Sequence, residues 1–136
     1  MKRVFVDTSG FFAHLVPEDA FHRKAESLFR RAVDESWDLV TSNAVVSETY
    51  TLLRKRARNG REMALGFLED IEDGLCTVVR VEAGDESKAI ALLRGHADKE
   101  YSFCDASSFV LMERLGLQEA VAFDRDFQIY GRFSIP

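Results

Sequence analysis

The sequence is poor in cysteine, long apolar runs and positive charge. Its two cysteines, Cys76 and Cys104, form neither a Cys-x-x-Cys pair nor a cluster with histidine. We therefore expect neither a disulfide framework nor a zinc site, and a reducing cytoplasm fits this cysteine usage best. No run is apolar for long enough to cross a bilayer, and no cleavable signal pattern precedes Asp7, so we expect no membrane partner.

The shortage of positive charge limits the choice of partners. Lysine and arginine total 18 against 23 acidic residues, which gives a net charge of -5. Overall charge therefore does not point to a phosphate-bearing partner, and a local basic patch or a metal ion would have to attract one. With 136 residues, of which 46% are hydrophobic and 30% charged, residues 1–136 are expected to form one globular domain.

Short valine-rich runs alternate with longer segments of helical spacing. This alternation predicts a three-layer α/β/α sandwich with a mostly parallel sheet of four to five strands. The predicted strands are RVFV from Arg3, WDLVT from Trp37, CTVVRV from Cys76, EAVAF from Glu119 and a weaker edge strand, RFSI from Arg132. The predicted helices are DAFHRKAESLFRRAVDE, NAVVSETYTLLRKRARN with Asn43 as its cap, REMALGFLEDIED, DESKAIALLRGHAD and DASSFVLMERLG.

Four carboxylates stand in unusual places. Asp7 and Asp124 each end a predicted strand, and ligands collect at the carboxyl ends of strands in open α/β sheets. Glu48 lies on the apolar side of a predicted helix, where a lone carboxylate is costly, and Asp105 opens another helix. Each could have an ordinary role, as a helix cap or as the partner of a buried arginine. Four acids together repel one another, and a divalent cation with oxygen ligands would neutralise them.

The segments around these acids resemble the motifs of PIN-domain ribonucleases, and most closely the VapC-type toxins of toxin–antitoxin pairs. The segments are VFVDTSGFFA, SNAVVSETYTLL, SFCDASSF and VAFDRDF, and they follow the family's order from Arg3 to about Phe127. By position, Asp7, Glu48, Asp105 and Asp124 match the family's four metal-site acids. Thr8 and Ser9 match the hydroxyl residues that follow the first acid. One departure is Ala122, where the family often has threonine or serine.

The resemblance implies a metal-dependent endoribonuclease that holds Mg²⁺ or Mn²⁺ and leaves a 5′-phosphate and a 3′-hydroxyl. It also implies a small antitoxin protein and a homodimer as partners. A basic run includes Arg54, Lys55, Arg58 and Arg61, which could contact the RNA backbone or could simply be a solvated helix end. Asp126 is expected in the first turn of a short helix, where its carboxylate would bond free backbone N–H groups.

Three alternative functions remain open at this point. A haloacid-dehalogenase-like phosphatase would need a second aspartate where this chain has Ser9. A receiver-like signalling module would need adjacent acids near the first strand and a lysine after a late one, and neither is evident. A PIN-domain RNA-processing nuclease without an antitoxin has the same motifs as a toxin.

Overall fold

A computed structural model describes the whole chain, Met1–Pro136. Its centre is a parallel four-stranded sheet in the order β3-β2-β1-β4. The strands are β1 (Arg3–Val6), β2 (Asp38–Ser42), β3 (Thr77–Val79) and β4 (Ala120–Val121). β1 pairs with β4 through Phe5↔Ala120 and Val6↔Val121, so the two strands that precede Asp7 and Asp124 are neighbours. A shared site for these two acids requires this pairing.

Seven helices connect and cover these strands. They are α1 (Thr8–Leu15), α2 (His22–Asp34), α3 (Asn43–Arg56), α4 (Gly60–Glu72), α5 (Ala83–Gly95), α6 (Phe103–Leu115) and α7 (Arg125–Tyr130). The chain crosses the sheet in one direction from β1 to β3 and then returns to β4. Right-handed crossovers therefore place α1 to α4 on one face and α5 with α6 on the other. The predicted three-layer sandwich is confirmed.

The core lies around β1, the central strand that ends at Asp7. Val4, Phe5 and Val6 have no exposed surface, and Phe11 and Phe67 from the covering helices pack in an edge-on contact with ring centroids 5.0 Å apart. A strand buried on both faces needs apolar side chains at every position, which is why its sequence does not alternate. None of the helices has the length and apolarity that a membrane span requires.

Several predicted boundaries differ from the structure. Ser42, not Asn43, caps α3, because the Ser42 side chain accepts the N–H of Val45 while Asn43 accepts that of Val81. The predicted edge strand RFSI is reduced to a single bridge between Glu119 and Ser134. The sequence spacing also gave no indication of α1, which is short and buries residues on several sides.

Candidate active site

Asp7 lies at the point where β1 turns into α1. Its Oδ2 accepts hydrogen bonds from the N–H and the hydroxyl of Ser9, at 3.2 and 2.8 Å, so the side chain caps α1. Its Oδ1 is buried and has no hydrogen-bond partner. Burial, with the nearby charges of Asp105 and Glu48, raises the pKa of Asp7 to about 7. The capping role and the predicted metal role are therefore compatible, because each uses a different oxygen.

Ser9 links the first acid to the last. Its hydroxyl donates to Asp7 and accepts the N–H groups of Phe123, at 2.9 Å, and Asp124, at 3.3 Å. The hydroxyl therefore holds the ends of β1 and β4 in a fixed arrangement. The hydroxyl of Thr8 is buried and has no hydrogen-bond partner. Of the two hydroxyls predicted to support the site, Ser9 has a visible positioning role.

Asp105 is held by the first turn of α6. Its Oδ2 accepts the N–H of Ser102 at 3.0 Å, and the Ser102 hydroxyl accepts the N–H of Asp105 at 3.0 Å. This reciprocal capping box could have been found from the Ser-x-x-Asp spacing in SFCD. Burial is the largest cause that raises the pKa of Asp105 to about 6, and the charge of Asp124 also raises it.

Asp124 and Asp126 both approach Asp105. One carboxylate oxygen from each of the three aspartates lies within 4.8 Å of the other two. The expectation for Asp126 is wrong in one respect, because Asp124 is the residue that caps α7 and accepts the Asp126 N–H at 3.0 Å. The Asp126 carboxylate instead lies beside those of Asp105 and Asp124. Burial, followed by the charge of Asp124, raises the pKa of Asp126. Asp126 therefore joins the acids that the sequence motifs indicated.

Glu48 approaches the site from α3 and is only half-buried. Its charge contributes to the raised pKa of Asp7, which places it near the first acid but outside the group of three aspartates. Glu48 is also near the Cys104 thiol, whose pKa is raised mainly by burial and then by the charge of Glu48. Cys104 was not predicted from the sequence to lie near the site. Its position directly before Asp105 was the available signal.

The site has the chemistry of a divalent-cation site. None of the ion pairs in the structure includes Asp7, Glu48, Asp105, Asp124 or Asp126, so no lysine or arginine forms an ion pair with the cluster. The unpartnered Oδ1 of Asp7 and the convergent oxygens of three aspartates are hard ligands of the kind that Mg²⁺ and Mn²⁺ prefer. The residues present therefore fit such an ion.

The basic run lies apart from these acids. Arg54 and Lys55 are exposed in the last turn of α3, Arg58 is exposed in the following loop, and Arg61 is exposed in α4. Arg54 follows Glu48 by six residues, a distance of about 9 Å along a helix. The structure therefore does not bring the basic run into the acid cluster.

Two surface hollows differ in their chemistry. A groove of about 460 Å³ begins at Asp124 and Asp126 and is also lined by Lys99 and Arg125. A larger hollow of about 630 Å³ is mostly apolar and is lined by residues such as Trp37 and Leu75, which precede β2 and β3. This second hollow lies at the amino ends of the strands, far from the acids. The groove beside Asp124 is therefore the candidate path for a polar substrate.

The comparisons with known proteins agree with this geometry. The family model described as the PIN domain matches residues 4–132. The 23S rRNA-specific endonuclease VapC20 of Mycobacterium tuberculosis, strains CDC 1551 / Oshkosh and H37Rv, is 40% identical over 131 residues, which cover 94% of both proteins.

Solved structures show the same fold. The crystal structure of Mycobacterium tuberculosis VapC20, described as a toxin that cleaves the sarcin–ricin loop, superimposes with a TM-score of 0.86 at 36% identity and covers 95% of both chains. The structure of VapBC2 from Rickettsia felis bound to a DNA fragment from its promoter gives a TM-score of 0.66 at 12% identity. It covers 98% of this chain and 97% of that one, and at this identity it supports the fold alone.

Proposed function

Because the chain belongs to the PIN-domain family, we propose that it is an endoribonuclease that hydrolyses RNA phosphodiester bonds with the help of Mg²⁺ or Mn²⁺. The observation that carries the proposal is the convergence of Asp105, Asp124 and Asp126, together with the unpartnered oxygen of Asp7, which is near enough for the charge of Asp105 to raise the pKa of Asp7. Residues 1–136 would act as a single PIN-like domain. The Ser9 hydroxyl, in the position where a dehalogenase-like phosphatase needs an aspartate, argues against a phosphoenzyme mechanism.

The proposed ligands are Asp7, Glu48, Asp105 and Asp124, and we add Asp126 to the residues predicted from the motifs. A divalent ion supplies acidified water and neutralises charge on the attacked phosphate. The chain's own task is to hold the carboxylates in place before the ion arrives. Ser9 orients Asp7 against Asp124, and Ser102 orients Asp105 through the capping box. Both supports are hydrogen bonds at helix N-termini, so the ligands need little reorganisation on binding.

The deprotonation of these acids is coupled to ion binding. In the protein without an ion, burial raises the pKa of Asp7 to about 7 and that of Asp105 to about 6, so protons occupy part of the cluster near neutral pH. A cation favours the charged carboxylates and displaces these protons. Ion affinity should therefore increase as the pH rises through about 7.

The biological role we propose is that of the toxin in a VapBC-type pair. The 40% identity to VapC20 supports this role over that of an RNA-processing nuclease without an antitoxin. Because VapC20 is a 23S rRNA-specific endonuclease that cleaves the sarcin–ricin loop, this loop is the first substrate to test. A small antitoxin and a homodimer are proposed partners, and the cytoplasm is the proposed location. Arg54, Lys55, Arg58 and Arg61 are proposed contacts for RNA beyond the cleavage point.

The test is cleavage of a sarcin–ricin hairpin RNA by the purified protein. We expect products with 5′-phosphate and 3′-hydroxyl ends in Mg²⁺ or Mn²⁺, and no cleavage in EDTA. Asp124→Asn should remove the activity while leaving the fold intact, because a neutral amide is a poor ligand for a hard cation. Full cleavage in EDTA, or a phosphoenzyme trapped on Asp7, would contradict the proposed chemistry.

A further inference from the structure

Phe21 is an aromatic residue that stays partly exposed although its ring packs against a buried phenylalanine. It directly precedes α2, and 45% of its surface is accessible, whereas Phe11 and Phe109 have none. Its ring stacks on that of Phe123 with centroids 5.0 Å apart and an angle of only 3° between the planes. Phe123 itself is buried, with 7% exposed. A ring that is covered on one face and still 45% exposed presents its other face to solvent.

The orientation of Phe21 is well fixed. Its backbone N–H donates to the Asp19 carboxylate at 2.9 Å, and the N–H of His22 donates to the Asp19 carbonyl at 3.0 Å. The His22 ring forms a further hydrogen bond, of 2.8 Å, with the carbonyl of Ala13 in α1. A planar group held by these contacts loses little conformational entropy when a ligand stacks on it.

Phe21 is also next to the acid cluster. Phe123, on which it stacks, directly precedes Asp124, and consecutive Cα atoms are about 3.8 Å apart. The Phe123 N–H is in turn bonded to the Ser9 hydroxyl that orients Asp7. The stack therefore joins Phe21 to the chain segment that carries Asp124 and that Ser9 holds beside Asp7.

We propose that Phe21 is a stacking platform for an unpaired RNA base beside the scissile phosphate, an inference that rests on the proposed RNA hydrolysis. Every base has a π-face, and proteins that read unpaired RNA stack its bases on aromatic side chains. Because the chain has a net charge of -5 and an acidic site, electrostatic attraction of the RNA backbone is limited, and an uncharged stacking contact would add to the proposed contacts of the basic run. The stacked base fixes the register of the strand over the acids.

The test compares Phe21→Leu, Phe21→Ala and Phe21→Trp with Leu75→Ala in RNA cleavage. Leu75 is a matched exposed apolar residue, 39% accessible, that precedes β3 at the opposite end of the sheet. The substrate is a sarcin–ricin hairpin in Mn²⁺, and binding is followed with hairpins in which each unpaired base in turn is replaced by fluorescent 2-aminopurine. Phe21→Leu keeps an apolar contact with Phe123 and so protects the fold, which circular dichroism and thermal unfolding would verify.

We expect Phe21→Leu and Phe21→Ala to raise KM roughly tenfold with little change in kcat, because one base stack is lost. Phe21→Trp and Leu75→Ala should behave like wild type, and one 2-aminopurine position should be quenched by these two variants and by wild type but not by Phe21→Leu or Phe21→Ala. Equal KM values for wild type and a folded Phe21→Leu would overturn the inference. So would unchanged RNA cleavage with weaker binding of the antitoxin, which would assign Phe21 to that interface. If wild type cut no RNA with any divalent ion, the proposed function itself would fail, and the inference with it.

Discussion

The burial of the Asp7 carboxylate leads to a specific prediction about how the stability of the fold depends on pH. Asp7→Asn keeps the shape of the side chain and an oxygen that can cap α1, but it removes the charge. The pKa of Asp7 is about 7 in the folded protein, whereas 3.8 is its ordinary value and applies to the unfolded chain. Between pH 3.8 and about pH 7 the folded protein therefore binds more protons at this residue than the unfolded chain does. The contribution of Asp7 to the free energy of unfolding should therefore be greatest below about pH 4, fall as the pH rises to about 7, and stay low above it.

The magnitude follows from the size of the shift. A change in the pKa of Asp7 from 3.8 to about 7 corresponds to about 4 kcal/mol of destabilisation at alkaline pH, because each pKa unit is worth roughly 1.4 kcal/mol. Asp7→Asn does not carry this cost. We expect the variant without divalent ions to exceed wild type by about 2–4 kcal/mol near pH 8 and to match it near pH 4.

The assay is urea unfolding in EDTA across this pH range. Asp70→Asn is the control, because Asp70 is an exposed carboxylate on α4 that forms no ion pair in the structure, and its effect should be small at every pH. Adding Mg²⁺ at pH 8 should stabilise wild type by mass action and leave Asp7→Asn nearly unchanged. An Asp7→Asn variant no more stable than wild type at pH 8, or a difference that does not vary with pH, would refute the reasoning.

Three further predictions follow from contacts around the site. Ser9→Ala should slow RNA cleavage about tenfold and lower the free energy of unfolding by about 1–2 kcal/mol, since the hydroxyl bonds Asp7 and two backbone N–H groups; equal kcat/KM values would contradict its positioning role. Gly10→Ala should lower the free energy of unfolding, measured with denaturant, by about 1–3 kcal/mol, because the new Cβ would lie 2.2 Å from the Val121 carbonyl oxygen. Gly66→Ala is the control and should not destabilise the protein, because no atom lies within 4 Å of its Cβ position. Asp126→Asn should raise the Mg²⁺ concentration needed for half-maximal cleavage while Asp124→Asn abolishes cleavage; the reverse ranking would mean that the fourth ligand must be reassigned.

The sequence predicted the sheet and the place of the site because both depend on local patterns. Valine-rich runs followed by an acid mark strands that end at the active edge, and the pairing of β1 with β4 then brings Asp7 and Asp124 together. The roles of Asp126 and Cys104 depended on how α6 and α7 pack, which spacing alone does not reveal. The same holds for Phe21, whose stacking on Phe123 joins residues about one hundred positions apart in the chain.

The central claim is that the acid cluster binds a divalent ion that RNA hydrolysis requires. The most direct measurement titrates Mn²⁺ into wild type and Asp124→Asn by calorimetry and follows sarcin–ricin hairpin cleavage on the same samples. We predict that wild type binds Mn²⁺ and cleaves over the same range of ion concentration, and that Asp124→Asn loses both properties while keeping its fold. Cleavage by wild type without bound ion, or full cleavage by folded Asp124→Asn, would contradict the claim.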